Sequence, residues 1–295
     1  MTGPQGEGLI EPLCRAAGVS RASFYRGWAA SEPELEEMAL RDAIQRLALA
    51  HRHYGYRRIG ALLRREGWCV NAKRVLRITR QDNLLCLRKK AYAPATTDSN
   101  HGWRVYPNLA RRMDPMAPDR LWVADITYIR LERAFVYLAV VLDAYSRKVV
   151  GWALDHHMAA TLPLEALDIA IRTREPAPGE LVHHSDRGVQ YACRDYTRRL
   201  EDAGIIPSMS RGGCPTDNAK AESFMKTLKT EEVDGRAYRD LAQAKASVGT
   251  FIEQVYNRTR LHSALDYHSP MEFEDARLWT AIPPPTGATT TTAVP

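Results

Sequence analysis

Short apolar runs dominate the middle of the chain and predict a sheet. Three of them follow one another between residues 118 and 154, with only short turns between them: LWVADITYIRL, FVYLAVVLDAYS and RKVVGWAL. This spacing predicts an antiparallel meander of three strands. LVHHS and IIPSMS predict two further strands, with helical segments between them. The order predicts an α/β fold, namely a mixed five-stranded sheet with an antiparallel half, a parallel half and helices on both faces.

Residues 215–229, PTDNAKAESFMKTLK, predict a helix with two different faces. At about 100° per residue, the apolar face consists of Ala221, Phe224, Met225 and Leu228. Glu222, Lys226 and Lys229 fall on the opposite face, and Asp217 is expected to cap the helix. Taken alone, the polar face is typical of a solvated Glu–Lys pair that stabilises a helix by a few tenths of a kcal/mol.

Helical patterns precede the sheet. Residues 9–28 predict a helix-turn-helix in which Gly18 allows the tight turn and Ser20 caps the second helix. The candidates for DNA contact in this unit are Arg21, Ser23, Tyr25 and Arg26. The alternative is a small packing subdomain without DNA contact. Residues 32–50 predict one more helix, with acids near its start.

Residues 51–90 predict a second helix-turn-helix-like unit, in which Asn71 caps the second helix. This stretch has twelve Lys and Arg against two acids, whereas residues 1–50 and 91–295 each sum to −2 within the net charge of +6. A near-neutral chain with one cationic module indicates a polyanion partner, most often nucleic acid. The predicted DNA-binding residues here are Arg57, Arg58, Arg64, Arg65, Lys73, Arg74 and Arg77.

Length and composition predict two or three domains. The expected division is a helical region over 1–50, the basic module over 51–90, a linker over 91–117, an α/β core over 118–275 and a disordered Pro/Thr-rich tail over 276–295. There is no apolar run long enough for a membrane span and no basic-then-apolar N-terminal signal. Five scattered cysteines predict reduced thiols, and their spacing from His51 and His53 fits no usual zinc site.

Two aspartates occupy unusual positions in the predicted sheet. Asp125 interrupts the apolar run LWVADITYI, where a carboxylate is costly unless another charge compensates it. Asp186 comes just past LVHHS, where α/β sheets collect ligands. Because the predicted order puts the first strand beside the fourth, the two can converge, and a divalent metal is a natural compensator. Glu222 is the third candidate. The intervals between these acids are not specific, and the flanking sequence has to decide.

Those flanks resemble the second-frame transposases of the IS-three insertion-sequence family, which share the retroviral integrase core. The matching stretches run in the same order from about residue 13 to residue 273: LCRAAGVSRASFYR, YGYRRIGALLRREGWCVNAKRV, LWVADITYI, AVVLDAYSRKVVGWAL, HHSDRGVQY, DNAKAESFMKTLK and YNRTRLHSALDYHSPMEF. One departure is Asp266 in HSALDY, where Gly is expected; it lies in a predicted turn.

The resemblance implies an RNase H-like catalytic core in which Asp125, Asp186 and Glu222 form an acidic (DDE) triad. These acids would hold two Mg²⁺ ions, with Asp125 bridging both, and Mn²⁺ could substitute. Lys229 matches the family's basic residue seven positions after the Glu. Lys226 and Lys229 are therefore expected to contact the DNA backbone near the scissile bond.

The implied activity is metal-dependent DNA cleavage that frees a 3′-OH, followed by strand transfer from that 3′-OH, with no protein nucleophile and no ATP. The implied partners are double-stranded DNA (element ends and target), other copies of the chain on DNA, and a first-frame partner or fusion protein. The implied location is the bacterial cytoplasm, at the nucleoid. The sequence contains no long leucine-heptad segment of the first-frame type, so end-specific binding is expected to need that partner.

Other polar residues have weaker predicted roles. Asn218 and His184 are candidates for supporting the acids or contacting DNA, although strand-end packing is the simpler interpretation of His183 and His184. Arg260 and His262 are candidates for late DNA contacts, whereas Asp143 and Asp168 are expected to be structural.

Two alternatives remain for the function. One is a DNA-binding regulator of transposition that has lost catalysis, and the intact acidic triad argues against it. The other is an RNase H-type nuclease that acts on hybrids. The basic tandem helical modules favour duplex DNA over a hybrid substrate.

Overall fold

The computed structural model describes residues 7–22, 35–86, 104–211 and 214–281. The chain forms two compact units, Met1–Cys86 (the N-terminal unit) and Leu87–Pro295 (the core unit). Ser23, Tyr25 and Arg26, three of the predicted DNA contacts, lie outside the described residues.

The N-terminal unit consists of helices. Its elements are α1 (Glu7–Ala16), α2 (Leu35–Ala50), α3 (Tyr56–Arg65) and α4 (Ala72–Gln81). After α1 the chain turns through Gly18, whose φ is 65°, and a second helix begins at Arg21, as the sequence predicts. Asn71 caps α4, because its side-chain oxygen accepts a hydrogen bond from the Lys73 N–H at 2.8 Å.

Helix α2 packs with α3 and α4. The three helices share a buried core of Leu40, Ile44, Ile59, Leu63, Val75 and Ile78. Ion pairs join Arg41 of α2 to Asp82 and Arg46 of α2 to Glu66. The domain boundary predicted at residue 50 therefore falls within one packed unit. The acidic residues at the start of α2 make its apolar face difficult to recognise from the sequence.

The core unit is built on one five-stranded sheet, as predicted. Its strands are β1 (Leu121–Arg130), β2 (Phe135–Asp143), β3 (Val149–Asp155), β4 (Val182–Ser185) and β5 (Ile206–Met209), in the order β3-β2-β1-β4-β5. β1, β2 and β3 form the antiparallel meander, whereas β4 pairs parallel to β1 and β5 parallel to β4. The first strand is therefore beside the fourth.

Helices cover both faces of this sheet. They are α5 (Thr161–Arg174), α6 (Val189–Ala192), α7 (Arg194–Asp202), α8 (Ala219–Leu228), α9 (Leu241–Thr250) and α10 (Pro270–Ala281). Leu121 and Val123 of β1 pack on the face that carries α8 and α9, whereas Trp122 and Ala124 pack on the face of α5 and α7. In the part of the chain that the structure describes, no helix has the length and apolar character to cross a bilayer.

The predicted cap of α8 is wrong. Helix α5 begins at Thr161 and has no side-chain cap. A 3₁₀ turn (Pro215–Asn218) precedes α8, so Asp217 lies inside that turn and not at the cap. Its carboxylate instead accepts hydrogen bonds from Arg211 and from Asn108 Nδ2 at 2.8 Å. After α8 the chain continues as a π-helical segment, Lys229–Val233.

Two segments expected to be irregular are part of the core unit. Residues 104–117, the end of the predicted linker, lie against the core: the Leu109 N–H donates to Ser208 Oγ at 2.9 Å, and Met113 packs on the apolar cluster. Helix α10 continues to Ala281, into the predicted tail. Residues 91–103 and 282–295 lie outside the described residues.

Gly151 of β3 allows α5 to pack closely on the sheet. A Cβ here would clash with the Ala166 carbonyl oxygen and lie 2.8 Å from the Ala170 nitrogen, both backbone atoms of α5. We expect Gly151→Ala to lower the free energy of unfolding by about 1–3 kcal/mol or more, measured by denaturant titration. Gly60→Ala is the matched control, since only the flexible end of Arg64 lies near that Cβ, at 3.9 Å. An unchanged unfolding midpoint for Gly151→Ala would contradict this packing.

Candidate active site

The register of the sheet places Asp125 and Asp186 at the same level. In the parallel pair of β1 and β4, Val123 lies opposite His184, and this is the last paired position. Asp125 lies two residues beyond Val123 on β1, and Asp186 lies two residues beyond His184, just past the end of β4. Since side chains alternate along a strand, Asp125 lies on the face of Val123, the face that α8 covers. The two acids thus meet where β1 and β4 separate.

A tight turn holds the backbone around Asp186. Its Oδ1 accepts a hydrogen bond from the Gly188 N–H at 2.9 Å, and α6 begins directly afterwards. A Cβ on Gly188 would lie 3.0 Å from that same Oδ1, so a larger residue would press on the carboxylate. Arg187 Nε donates to the Ser210 carbonyl at 2.7 Å, which ties the turn to the end of β5.

Helix α8 brings Glu222 to the same face of the sheet. Its apolar side is buried as predicted, through Ala221, Phe224, Met225 and Leu228. Two hydrogen bonds fix its N-terminal end: Asn218 Nδ2 donates to the Ala124 carbonyl at 2.9 Å, and Lys220 Nζ to the Ala144 carbonyl at 2.8 Å. Asn218 therefore joins the helix of Glu222 to the residue before Asp125. The Glu222 side chain itself is exposed.

Asp125 is the electrostatically unusual acid of this group. Burial raises its pKa from 3.8 to about 7, and the negative charges of Asp186 and, more weakly, Glu222 act in the same direction. The Ile126 N–H, at 2.9 Å from its Oδ1, and the Lys229 ammonium oppose the shift. Both neighbouring acids therefore disfavour the ionised form of Asp125.

The donor set fits a hard divalent cation. Excess negative charge and carboxylate oxygens are what Mg²⁺ binds in proteins. Across residues 7–22, 35–86, 104–211 and 214–281, however, no three His, Cys, Asp or Glu side chains lie close enough together to hold a metal ion as they stand. Of the three acids, Glu222 is the most exposed.

The two predicted lysines of α8 differ in their surroundings. Lys226 is exposed to solvent. Lys229 is half-buried, with its Nζ 4.6 Å from the centre of the Tyr128 ring. Burial lowers the pKa of Lys229, while the negative charges of Asp234 and Asp125 counteract this. Nothing in the sequence pattern had singled out Tyr128.

The histidines before Asp186 are packing residues. His183 Nε2 is 3.0 Å from the Tyr196 hydroxyl, and the His184 ring nitrogens lie 2.8 and 3.0 Å from the hydroxyls of Ser208 and Ser210. Burial lowers the pKa of His183 to about 3 and that of His184 to about 4, so both rings are neutral at pH 7. The simpler interpretation of these residues is confirmed.

Late DNA contacts by Arg260 and His262 do not fit the structure. Arg260 is 5% exposed and its guanidinium pairs with Glu231 at 2.7 Å, while His262 is 6% exposed with its ring edge-on to Tyr256. Both side chains face inward because the apolar cluster around Tyr256 covers them.

Asp143 and Asp168 are structural, as predicted. Asp143 is buried and accepts hydrogen bonds from the backbone N–H groups of Asp119, Tyr145 and Ser146. Asp168 pairs with Arg199 at 2.6 Å. Asp266 has a φ of 50°, the left-handed conformation in which Gly is usual, which accounts for the family's glycine there.

The predicted DNA-binding residues of the N-terminal unit lie on α3 and α4. Exposed side chains belong to Arg57, Arg64, Arg65, Lys73 and Arg77, whereas Arg58 and Arg74 are half-buried. The guanidinium of Arg58 lies 5.3 Å from the centre of the Tyr54 ring. Arg74 and Arg77 both pair with Glu37 of α2, at 3.5 Å. Helix α2 therefore already engages the exposed Arg77 and the half-buried Arg74.

Comparison with sequence families supports both units. Residues 34–92 match the family described as an HTH-like domain, which agrees with the helix-turn-helix-like prediction and includes α2. Residues 115–215 and 203–270 match families described as an integrase core domain. The sheet order and these matches define the core unit as an integrase core of the RNase H-like class.

Curated relatives match nearly the whole chain. The IS600 insertion element's uncharacterized 31 kDa protein from Shigella sonnei is 37% identical, covering 89% of this chain and 97% of that protein. The transposase InsF of insertion sequence IS3A from Escherichia coli strain K12 is 34% identical, covering 93% of this chain and 96% of that one. The chain therefore belongs to the IS3 family of insertion-sequence transposases, as its motifs predict.

Solved structures give a more distant likeness. One is the simian T-cell lymphotropic virus intasome in complex with the PP2A regulatory subunit B56 gamma, at 16% identity and a TM-score of 0.48, covering 84% of this chain and 80% of that one. Another is the HTLV-2 integrase catalytic core domain in complex with magnesium, at 14% identity and a TM-score of 0.43, covering 55% of this chain and 99% of that one.

The raised pKa of Asp125 predicts how stability depends on pH without divalent cations. Between pH 4 and 7 the folded protein keeps a proton on Asp125 that the unfolded chain releases, so the free energy of unfolding falls as the pH rises through this window. Each pKa unit corresponds to about 1.4 kcal/mol. In EDTA, we expect Asp125→Asn to remove this fall and to have the higher unfolding midpoint at pH 7.5.

Asp168→Asn is the control for that measurement. It removes a half-exposed carboxylate on the other side of the sheet and should leave the fall in place. Parallel pH profiles for the wild type and Asp125→Asn would show that Asp125 is not under the electrostatic stress described above.

Proposed function

We propose that Asp125, Asp186 and Glu222 catalyse Mg²⁺-dependent cleavage and joining of DNA strands in transposition. The observation that supports this proposal is the strand register, which places Asp125 and Asp186 side by side where β1 and β4 separate. Helix α8 brings Glu222 to the same face of the sheet. Neighbouring carboxylates that oppose ionisation of one of their number favour a cation that compensates their charge. Divalent cations bound to these three carboxylates would supply charge compensation for the attacking and leaving oxygens.

The chain's own residues would orient DNA in both reactions. In the first, a water oxygen attacks the phosphorus at the element's end, the bond to the 3′ oxygen breaks, and a 3′-OH is released. In the second, that 3′-OH loses its proton and attacks the phosphorus of a target phosphodiester, the bond from this phosphorus to the target's 3′ oxygen breaks, and the departing oxygen takes up a proton. Lys226 and Lys229 would hold the backbone phosphates near Asp125. Asn218 would act by positioning α8 against β1, in place of contacting DNA.

We infer that the partner is double-stranded DNA, at element ends and target. The exposed basic side chains of α3 and α4 would neutralise phosphates, and several copies of the chain would assemble on the DNA. A first-frame protein, separate or fused, would add end-specific binding. Since the relatives are bacterial transposases, the expected location is the bacterial cytoplasm, at the nucleoid.

Asp125→Asn separates catalysis from DNA binding. Because it removes one carboxylate charge from the site, we expect strand cleavage in Mg²⁺ to drop below detection while the Kd for DNA stays within about threefold. Oligonucleotide cleavage with and without Mg²⁺, together with fluorescence anisotropy, measures both. Mg²⁺ should also raise the Tm of the wild type and not that of the variant. Asp168→Asn is the control. Full activity of Asp125→Asn would refute the assignment.

The same assay distinguishes the two alternatives. A regulator without catalysis would bind DNA and give no Mg²⁺-dependent product from the wild type. An RNase H-type nuclease would cleave a hybrid strand and yield no joined product. A transposase yields joined strands from a DNA end with a free 3′-OH.

The solvent-facing basic residues of α3 and α4 should dominate DNA affinity. If the module neutralises six to ten phosphates, affinity falls by about 10³–10⁵ between 50 and 200 mM salt. Alanine at Arg57, Arg64, Arg65 and Lys73 together should weaken binding at 100 mM salt and flatten the salt dependence by up to about one unit of slope per lost contact. Anisotropy titrations over a salt series measure both.

Alanine at Arg74 and Arg77 provides the comparison. These two residues pair with Glu37, so exchanging Glu37 for a phosphate gains little and their loss should cost less affinity per residue. Substitutions are preferable to deleting residues 51–90, since deletion would remove the helices on which α2 packs. Equal affinity of the fourfold variant and the wild type would exclude this surface as the DNA-binding site.

A further inference from the structure

We propose that Tyr128 is a positioning residue, whose aromatic ring holds the Lys229 ammonium in one position and so aims it at the phosphate that reacts. The proposal rests on the function proposed above and adds a residue that carries no charge and no metal-binding atom. Its starting point is the contact itself, with Lys229 Nζ 4.6 Å from the centre of the Tyr128 ring.

The contact joins the two elements that carry the acids. Tyr128 lies on β1, three residues after Asp125, and Lys229 directly follows α8, seven residues after Glu222. A ring on β1 therefore contacts a cation that directly follows the helix of Glu222. Ammonium groups within about 6 Å of an aromatic ring centre are attracted by the negative charge of its face.

Lys229 needs such a partner because two acids attract it. Its ammonium experiences the negative charges of both Asp234 and Asp125. A lysine side chain has four rotatable bonds and loses much conformational freedom when it is held in one place. Contact with the Tyr128 ring favours one position of the ammonium, which is therefore preorganised before DNA binds.

The backbone of Lys229 is fixed independently of the ring. Its carbonyl accepts a hydrogen bond from the Asp234 N–H at 2.6 Å across the π-helical segment. Within that segment Glu231 pairs with the buried Arg260 at 2.7 Å, and the buried Glu232 accepts from Ser247 Oγ at 2.5 Å. With both ends of this segment held, the direction of the side chain depends on what its tip contacts, and that is Tyr128.

The ring is also held in place. Phe135 of β2 contacts it edge-on, with ring centres 5.7 Å apart and an interplanar angle of 76°. Tyr128 lies opposite Tyr137 in the antiparallel register. An aromatic or large apolar side chain at position 128 would keep these packing contacts, whereas only an aromatic ring attracts the Lys229 ammonium. The proposal therefore predicts that Phe can replace Tyr128 and that Leu cannot.

The test uses the full chain with Tyr128→Phe, Tyr128→Leu and the control Tyr137→Leu. Tyr137 is the same residue type at the opposite position of β2, and across the described parts of both units no Lys or Arg lies over its ring. In single-turnover cleavage of saturating oligonucleotide DNA with Mg²⁺, we expect Tyr128→Leu to be slower by about 3- to 30-fold. Tyr128→Phe and Tyr137→Leu should stay within about twofold of the wild type, and DNA affinity should change little in all three.

A double mutant separates positioning from a merely structural role. In a Lys229→Gln background, Tyr128→Leu should cause no further loss of rate, because its effect acts through the ammonium. A structural defect would slow both backgrounds equally. Ring-current shifts provide a direct readout: with ¹³C-labelled lysine, the Lys229 ε-CH₂ protons should resonate upfield in the wild type and Tyr128→Phe, and normally in Tyr128→Leu.

The outcomes are distinguishable. An unshifted Lys229 signal in the wild type, or equal rates for Tyr128→Leu and the wild type, overturns the positioning role alone. A wild type that neither cleaves nor joins DNA overturns the proposed function, and this role with it. Loss of rate in Tyr128→Leu that Tyr128→Phe restores, and that vanishes in the Lys229→Gln background, supports both.

Discussion

Repulsion between carboxylates, at the point where β4 ends beside β1, is the constraint that shapes the candidate site. Burial raises the pKa of Asp125 to about 7, and Asp186 and Glu222 both oppose its ionisation. The apolar packing of α8 on the sheet, through Phe224 and Leu228, maintains this unfavourable arrangement. The site therefore lowers the stability of the folded chain at neutral pH, and a bound cation would remove that cost.

Periodicity predicted the parts of the fold that depend on repeated patterns. The apolar runs from β1 to β5 gave the strand order because each buried strand must be apolar and each short turn forces an antiparallel neighbour. The apolar stripe of α8 was equally clear. What failed were single contacts: Asp217 has an ordinary N-cap sequence, yet Arg211 and Asn108 engage it, and Asn108 is far away in the chain.

The residues of the candidate site also differ in how well they could be predicted from the sequence. A carboxylate within an apolar strand and another just beyond a strand end are local anomalies, so Asp125 and Asp186 could be identified from sequence. Arg260 was misassigned because an arginine in a polar loop reads as exposed, whereas its partner Glu231 lies on a different element. Tyr128 fits an ordinary strand pattern, and only the position of Lys229 above its ring distinguishes it from a packing residue.

Glu37 of α2 gives the N-terminal unit a property that a count of its arginines does not reveal. Arg74 and Arg77 already have a carboxylate partner, so a DNA phosphate would have to replace it. Each replacement still releases a counterion from the DNA, although the binding energy gained is reduced by the ion pair that is given up. Phosphate contacts by these two arginines would therefore add more to the salt dependence of DNA binding than to its affinity.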